Sequence, residues 1–296
     1  MTTKHKITGK LKRFIDVGKV ETRVIGPTER WVLSSPSNNS KLKLDGYLHP
    51  SKIIKSMWCH RTSYFELLGH ADGSEYNSKS IKQYMVFQQG HHIHSKWQTI
   101  FKNMDKIYGL WKCSHCGLKE WGMHSEVSNL CIGPWEYKEV PIVHEPLKLK
   151  GHADGILKGF KDPLLLEIKS IGPGTIKWEH PDLLNRAGNS FENAWKLLDG
   201  PFASHILQAQ LYLKMLELSG KETPQEAIFI YESKLDGDVK EFVMPKDDFG
   251  VDEVIQNVKN IINAIETGVP PMCNLRGEER CGQCKEYDNV INQVNS

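Results

Sequence analysis

The sequence lacks several features that define whole classes of protein. No apolar run approaches the length of a membrane-spanning helix, and no apolar stretch near residue 1 is typical of a secretory signal. The net charge is only +2 in 296 residues, which excludes a polycationic protein. No internal repeat is present. These absences predict a cytoplasmic protein with no membrane partner and an ordinary globular core.

Cysteine is the most informative residue type among those that are present. Hydrophobic residues make up 39% of the chain and charged residues 25%, which is enough to bury a core. There are seven cysteines. Because a cytoplasmic protein is kept reduced, seven cysteines indicate metal ligation more than disulfides.

The sequence divides into three predicted parts. Residues 1–45 form an arm rich in lysine, arginine and turn residues. Such an arm can bind a phosphate backbone or can be a solvated terminus, and the sequence leaves both open. Residues 46–272 form the core, interrupted by a cysteine-rich insertion at 108–140 that we expect something other than an apolar core to hold. Residues 273–296 form a cysteine-containing tail.

Hydrophobic periodicity predicts the main helices and strands of the core. We expect residues 171–203 to form a long loop, because they are rich in glycine and proline. The remaining expected elements are a helix from Ser51 to Cys59, a helix from Gln83 to Met104, a helix from Ser204 to Leu218, a strand at Ala227–Tyr231 with a hairpin to Val239–Val243, and a helix from Val251 closed by Gly268.

The central observation is Asp154 followed by Glu167-Ile168-Lys169 on the next predicted strand. A turn at 159–163 folds the second strand back beside the first, and side chains alternate along a strand, so Glu167 and Lys169 share a face beside Asp154. Two adjacent buried carboxylates are costly unless a divalent cation lies between them. This arrangement suits hydrolysis of a phosphodiester by water. The alternative is a structural ion pair between Glu167 and Lys169.

Two further patterns flank this hairpin. Gly90-x-x-x-His94 lies upstream on a predicted helix, and Gln208-x-x-x-Tyr212 lies on the helix that follows. A four-residue step places both members of each pattern on one helical face.

In this order, the three patterns resemble the RecB-like and lambda-exonuclease-like branch of the PD-(D/E)XK nuclease superfamily, over residues 46–285. That branch includes nucleases of CRISPR adaptation. The resemblance implies an α/β restriction-endonuclease-like core, with a central mixed β-sheet flanked by helices. It also implies Mg²⁺ or Mn²⁺ held by His94, Asp154, Glu167 and the carbonyl of Ile168. Lys169 would orient water, and Gln208 and Tyr212 would shape the catalytic site.

Three of the cysteines lie in the insertion. Cys113-x-x-Cys116 has the spacing of a metal knuckle, and His124 and Cys131 follow at plausible distances. This set predicts a structural Zn²⁺ site. The alternative is three free thiols in a loop.

The other four cysteines, Cys59, Cys273, Cys281 and Cys284, lie before and after the core. In one subgroup of the resembled family, one early and three late cysteines bind a [4Fe–4S] cluster. In this chain the isolated late cysteine precedes the pair, which departs from that pattern. A second zinc would use the same residues, and the sequence leaves both alternatives open.

The resemblance implies a DNA exonuclease acting on ends or single strands in recombination, repair, replication or CRISPR adaptation, in a bacterium or a phage-infected host. A helicase, recombinase or integrase partner is consistent with it. Lys148, Lys150 and Lys158 are candidate DNA contacts. The alternative function is a catalytically inactive nuclease-fold protein that binds nucleic acid.

Overall fold

The computed structural model describes residues 24–34, 44–70 and 80–275, which contain both helices and strands. In chain order they are α1 (Ile25–Ser34), α2 (Pro50–Ile53), α3 (His60–Leu67), α4 (Ile81–Asn103), β1 (Ile107–Cys113), β2 (Lys119–Met123), α5 (His124–Ser128), β3 (Trp135–Lys138), β4 (Val140–His144), β5 (Leu149–Ala153), β6 (Gly155–Leu157), β7 (Leu164–Ile171), α6 (Pro173–Glu179), α7 (Pro181–Arg186), α8 (Phe191–Leu197), α9 (Ala203–Leu218), β8 (Glu226–Ser233), β9 (Val239–Pro245) and α10 (Val251–Thr267).

These elements fall into two units. The first comprises residues 1–43 and 75–88, where the structure describes α1 and the first residues of α4. The expectation of a turn-rich arm is wrong over Ile25–Ser34, because these residues form a helix. The lysines before residue 24 lie outside the described residues. The second unit comprises residues 44–74 and 89–296. The three-part division at residues 45 and 272 stays a prediction.

The second unit is built on a seven-stranded mixed sheet. Its order is β2-β1-β6-β7-β8-β9, with β3 also pairing with β1. Strands β7 and β8 are parallel and the other pairs are antiparallel, while β4 and β5 form a separate two-stranded sheet. The chain therefore leaves the small sheet and enters the large one between β5 and β6, at Asp154.

Helices cover both faces of the central sheet. Alternate residues of β7 and β8 point to opposite faces. On one face Ile168 and Ile230 pack with Ile93 of α4. On the other, Phe229 belongs to a core with Leu211 of α9 and residues of α10. Strand β7 is largely buried on both faces, as expected for a strand covered on both sides. The predicted α/β class with a helix-flanked mixed sheet is confirmed.

Residues 171–203 are not a loop, because α6, α7 and α8 occupy most of this segment. Pro173 and Pro181 stand at the first positions of α6 and α7. Proline at that position begins a helix, since its missing N–H has no acceptor there in any case. The prolines that suggested a loop therefore mark helix starts.

The helix expected from Ser51 to Cys59 is also wrong. Helix α2 covers only Pro50–Ile53, and a separate helix α3 begins after Cys59. The Cys59 sulfur accepts the backbone N–H of Thr62 and so caps α3. Cys59 thus begins a helix rather than ending one.

The cysteine-rich insertion is part of the central sheet. Strand β1 pairs with β2, β3 and β6, and the Trp111 side chain on it is fully buried. Trp135 and Val127 are buried in the same core. The expectation that this insertion lacks an apolar core is wrong, because its tryptophans supply large apolar area despite the polar residues between them.

The remaining expected elements are confirmed as α4, α9, the β8–β9 hairpin and α10, whose C-terminal cap is Gly268 with φ of 70°. Within the described residues, no helix has both the length and the apolar character needed to cross a bilayer.

Candidate active site

The β6–β7 hairpin places two carboxylates side by side. Gly155 pairs with Leu166, so the preceding Asp154 lies opposite Glu167. Both carboxylates are buried, with 7% and 2% of their surfaces exposed. The backbone N–H of Ile168 donates to Oδ2 of Asp154 over 2.6 Å. The structure therefore brings together the acidic pair that the sequence predicted.

Helix α4 brings His94 to this pair. Nδ1 of His94 lies 2.9 Å from Oδ1 of Asp154. One turn later, the Gln98 amide donates to the backbone carbonyl of Asp154 over 3.4 Å. Burial lowers the pKa of His94, but the hydrogen bond and charge of Asp154 outweigh it, so the pKa is raised. The ring therefore favours a donor role toward this carboxylate.

Glu139 is the site residue that the sequence patterns did not reveal. It lies between β3 and β4, and one carboxylate oxygen, one oxygen of Asp154 and one ring nitrogen of His94 all lie within 4.8 Å of one another. Burial and the charge of Asp154 raise its pKa. The only signal in the sequence was an acid at the end of an aromatic strand, and neither spacing nor periodicity linked it to Asp154.

The side chain of Lys169 lies against Glu167. Its Nζ is 2.7 Å from Oε2 of Glu167. The other oxygen, Oε1, is buried and accepts no hydrogen bond from any residue that the structure describes. Burial raises the pKa of Glu167 to about 7. Burial lowers the pKa of Lys169, but the charges of Glu167 and Asp154 outweigh this effect and raise it, which keeps the ammonium charged.

Helix α9 completes the wall of the site. Lys169 Nζ donates to Oε1 of Gln208 over 3.3 Å, and Nε2 of Gln208 donates to the Tyr212 hydroxyl over 3.1 Å. Burial raises the pKa of Tyr212, so the phenol stays neutral. Gln208 and Tyr212 therefore lie on one face of the helix, as their spacing predicted, and Gln208 links Tyr212 to the lysine.

His205 lies three residues before Gln208 on the same helix. Its Nδ1 is hydrogen-bonded to the hydroxyl of Tyr231, which also accepts the backbone N–H of Phe202 over 2.9 Å. Burial, and then the charge of Lys169, lower the pKa of His205 to about 3. This imidazole is therefore neutral at the edge of the site.

The donor set fits a divalent cation. Carboxylate oxygens are the ligands of Mg²⁺ and Mn²⁺, and an imidazole adds a nitrogen ligand. The unsatisfied, buried Oε1 of Glu167 is a second indication, since a buried carboxylate oxygen without a donor is costly. Of the predicted ligands, the structure groups His94 and Asp154 with Glu139, whereas Glu167 is not part of that group, and Ile168 donates its N–H to Asp154.

Cys113, Cys116 and Cys131 form the three-cysteine group. Their sulfurs all lie within 4.8 Å of one another. The backbone N–H groups of Cys116 and His115 donate to Cys113 and lower the pKa of its thiol to about 7. The predicted fourth ligand, His124, is not in this group: its ring packs on Trp111, with ring centroids 5.1 Å apart.

The second cysteine set is seen in part. The sulfurs of Cys59 and Cys273 lie 3.8 Å apart. Asn274 joins the same two segments, because its side chain accepts the N–H of His60 and donates to the carbonyl of Trp58, each over 2.9 Å. Cys281 and Cys284 lie outside the described residues.

The three candidate DNA-binding lysines each face a carboxylate. Lys148 pairs with Glu145 at 3.3 Å, Lys150 with Asp45 at 2.9 Å, and Lys158 with Glu222 at 3.4 Å. These pairs are solvent-exposed and therefore weak, so a phosphate can compete for each lysine.

No protein-family model matches the chain, and no curated protein sequence matches it. Among solved structures, alkaline exonuclease LHK-Exo from Laribacter hongkongensis is 13% identical over 90% of this chain and 100% of its own, with a TM-score of 0.37. LHK-Exo in complex with dAMP is 14% identical over 76% and 90%, with a TM-score of 0.41. The protein SSO0001 is 14% identical over 76% and 79%, with a TM-score of 0.34.

Proposed function

We propose that the chain is a metal-dependent nuclease that hydrolyses DNA phosphodiester bonds, of the RecB-like and lambda-exonuclease-like PD-(D/E)XK type. One observation carries the proposal. Asp154 and Glu167 are buried together beside the ammonium of Lys169 and the imidazole of His94, with an oxygen of Glu167 left unsatisfied among the described residues. A pair of buried carboxylates is costly without a cation to compensate it.

His94, Asp154, Glu167 and the carbonyl of Ile168, joined by Glu139, would hold Mg²⁺ or Mn²⁺. The ion would supply positive charge to the phosphate and lower the pKa of water. Because imidazole suits transition metals better than Mg²⁺, the set favours Mn²⁺ over Mg²⁺.

The chain's own residues position the reactants. The ammonium of Lys169, fixed between Glu167 and Gln208, orients the attacking water and offsets negative charge on the phosphate. Water attacks phosphorus in line and releases a proton to solvent, the bond from phosphorus to the departing oxygen breaks, and that oxygen takes up a proton from solvent. Tyr212 holds Gln208 in this geometry.

Exonucleolytic action on DNA ends or single strands is the substrate class that we propose, with backbone contacts from Lys148, Lys150 and Lys158. Roles in recombination, repair, replication or CRISPR adaptation, with a helicase, recombinase or integrase partner in the bacterial or phage-infected cytoplasm, belong to the same proposal.

For the second cysteine set we propose a [4Fe–4S] cluster on Cys59, Cys273, Cys281 and Cys284. The approach of Cys59 to Cys273 supports a shared metal group. Anaerobically purified protein is expected to be brown, with about four irons per chain. If the protein is colourless and these residues bind zinc, the cluster proposal is wrong and the residues form a second zinc site.

The nuclease proposal is tested with 5′- and 3′-labelled single-stranded and duplex DNA, linear and circular, with Mn²⁺, Mg²⁺ or neither. We expect ion-dependent release of nucleotides from linear DNA only. Asp154→Asn and Lys169→Met should each reduce the rate at least about a hundredfold. Asp162→Asn, in the exposed turn of the same hairpin, is the matched control and should leave the rate unchanged.

Two outcomes contradict the proposal in different ways. Cleavage that persists unchanged in Asp154→Asn and Lys169→Met would refute the site. DNA binding without cleavage under every ion would favour the non-catalytic nucleic-acid-binding function.

A further inference from the structure

The three-cysteine group gathers its sulfurs from segments that are distant in the sequence. Cys113 is the last residue of β1, Cys116 lies in the following turn, and Cys131 lies before β3. The Cys131 sulfur is 3.4 Å from that of Cys113 and 3.6 Å from that of Cys116. These distances exceed a disulfide bond of about 2.05 Å, yet they bring three soft donors to one point.

The backbone around these sulfurs is arranged for negative charge. Cys113 accepts N–H groups from His115 and Cys116, and Cys131 accepts the N–H of Gly133. Hydrogen bonds of this kind stabilise thiolates. The N–H of Gly133 lowers the pKa of Cys131, but its hydrogen bonds with the thiols of Cys113 and Cys116 outweigh this effect and raise it. Gly133 is packed so closely that an added Cβ would lie 2.8 Å from the Cys113 sulfur and 2.5 Å from Cβ of His115. The segment around Gly133 is therefore packed tightly against the turn that follows Cys113.

We propose that Cys113, Cys116 and Cys131 bind one Zn²⁺ with water as the fourth ligand, and that this ion fixes β3 on β1. Thiolates select zinc among the common divalent ions, and zinc takes four ligands. Neither His115 nor His124 belongs to the group, and no other histidine, cysteine, aspartate or glutamate among the described residues does.

The metal would act on the candidate active site through β3. Trp135 begins this strand, pairs with Cys113 and donates its indole N–H to the carbonyl of Cys131 over 3.1 Å. Further along, the Tyr137 hydroxyl donates to the backbone carbonyl of Asp154 over 3.0 Å. Glu139 then follows directly after the strand. An ion that fixes the start of β3 therefore also fixes the position of Glu139 beside Asp154. The relevance of this effect to catalysis rests on the proposed nuclease function.

Metal analysis of the full-length protein tests the binding claim. We expect one zinc per chain that is lost from Cys116→Ser and Cys131→Ser and retained by Ser114→Ala, the matched control in the same turn. Cys273→Ser separates this ion from any metal on the other cysteine set and should retain it. Equal zinc in Cys131→Ser and Ser114→Ala would overturn the proposal.

Two further measurements test the identity of the fourth ligand and the effect of the ion on β3. His124→Ala and His115→Ala should keep the ion, and loss from either would overturn water as the fourth ligand. In zinc-free Cys116→Ser, amide exchange in residues 136–139 should accelerate about tenfold, equivalent to about 1.4 kcal/mol of local stability, with no change in β8. Unchanged exchange would overturn the effect on β3. Neither readout depends on cleavage, so both stand if the nuclease proposal fails.

Discussion

The indole N–H of Trp97 donates a hydrogen bond to the buried carboxylate of Glu232 over 2.7 Å. Lys96 donates to the other oxygen of the same carboxylate over 2.5 Å. Trp97 lies one turn after His94 on α4, while Glu232 lies near the carboxyl end of β8. This contact sets the rotation of α4 on the sheet, and with it the position of His94.

Replacing Glu232 with alanine is expected to lower the free energy of unfolding by about 1–3 kcal/mol, because the Trp97 N–H loses its acceptor. Glu232→Gln retains an acceptor oxygen and should lose less. Urea denaturation measures both. Glu241→Ala, at an exposed position on β9, is the control and should change stability by less than about 0.5 kcal/mol. Equal losses at the two positions would mean that Glu232 does not anchor α4.

Gly151→Ala is expected to displace Tyr212. A Cβ at Gly151 would lie 2.5 Å from Cε1 of Tyr212, which is buried and cannot easily move. Overpacking of this kind costs about 1–3 kcal/mol. Thermal or urea unfolding measures the loss, and cleavage should slow with it. Gly174→Ala, where nothing lies within 4 Å, is the matched control. A Gly151→Ala variant as stable as this control would contradict the contact.

His205 predicts a dependence of stability on pH. Its pKa falls from an ordinary value of 6.5 to about 3 on folding, chiefly through burial. Between these values the unfolded chain binds more protons, so the contribution of His205 to stability is full above pH 6.5 and decreases as the pH falls toward 3. His205→Gln should flatten the measured slope of unfolding free energy against pH, whereas His91→Gln at an exposed position should not. Identical slopes would contradict the lowered pKa.

Substitutions of Lys150 and of its partner Asp45 are expected to change DNA affinity in opposite directions. If Lys150 contacts a phosphate, Lys150→Gln should reduce the slope of log affinity against log salt by at most about 0.9 for duplex DNA. Asp45→Asn removes the competing carboxylate, 2.9 Å from the lysine, and should raise affinity. Fluorescence anisotropy without divalent ions measures both. Binding unchanged in both variants would remove Lys150 from the DNA contacts, and the same pair of tests applies to Lys148 with Glu145.

The hairpin of the candidate site was predictable because its geometry is local. Strand alternation and the turn at 159–163 fix Asp154 beside Glu167, and a four-residue helical step fixes Gln208 beside Tyr212. The apolar sequence of β7 predicted its burial on both faces. Because these relationships depend only on residues that are close in the chain, they can be predicted from a single sequence.

Long-range relationships could not be predicted in this way. Glu139 reaches Asp154 because β3 joins β1, and because the chain changes sheets at Asp154, and neither fact leaves a periodic pattern. His124 had a plausible spacing for a zinc ligand, yet it follows β2 directly and its ring packs on Trp111. A proline can indicate either a loop or the first position of a helix. The prolines of α6 and α7 occupy first helical positions, which the sequence alone did not reveal.

The meeting of Cys59 and Cys273 has a topological consequence. The two residues are 214 positions apart, so a bond or metal that joins them closes most of the polypeptide into a ring. Such closure removes conformational entropy from the unfolded chain, worth about 5 kcal/mol for a ring of this size. The benefit grows only with the logarithm of ring length. Residues added inside the ring, such as the segment that holds Cys113 and Cys116, therefore increase this stabilisation only slightly.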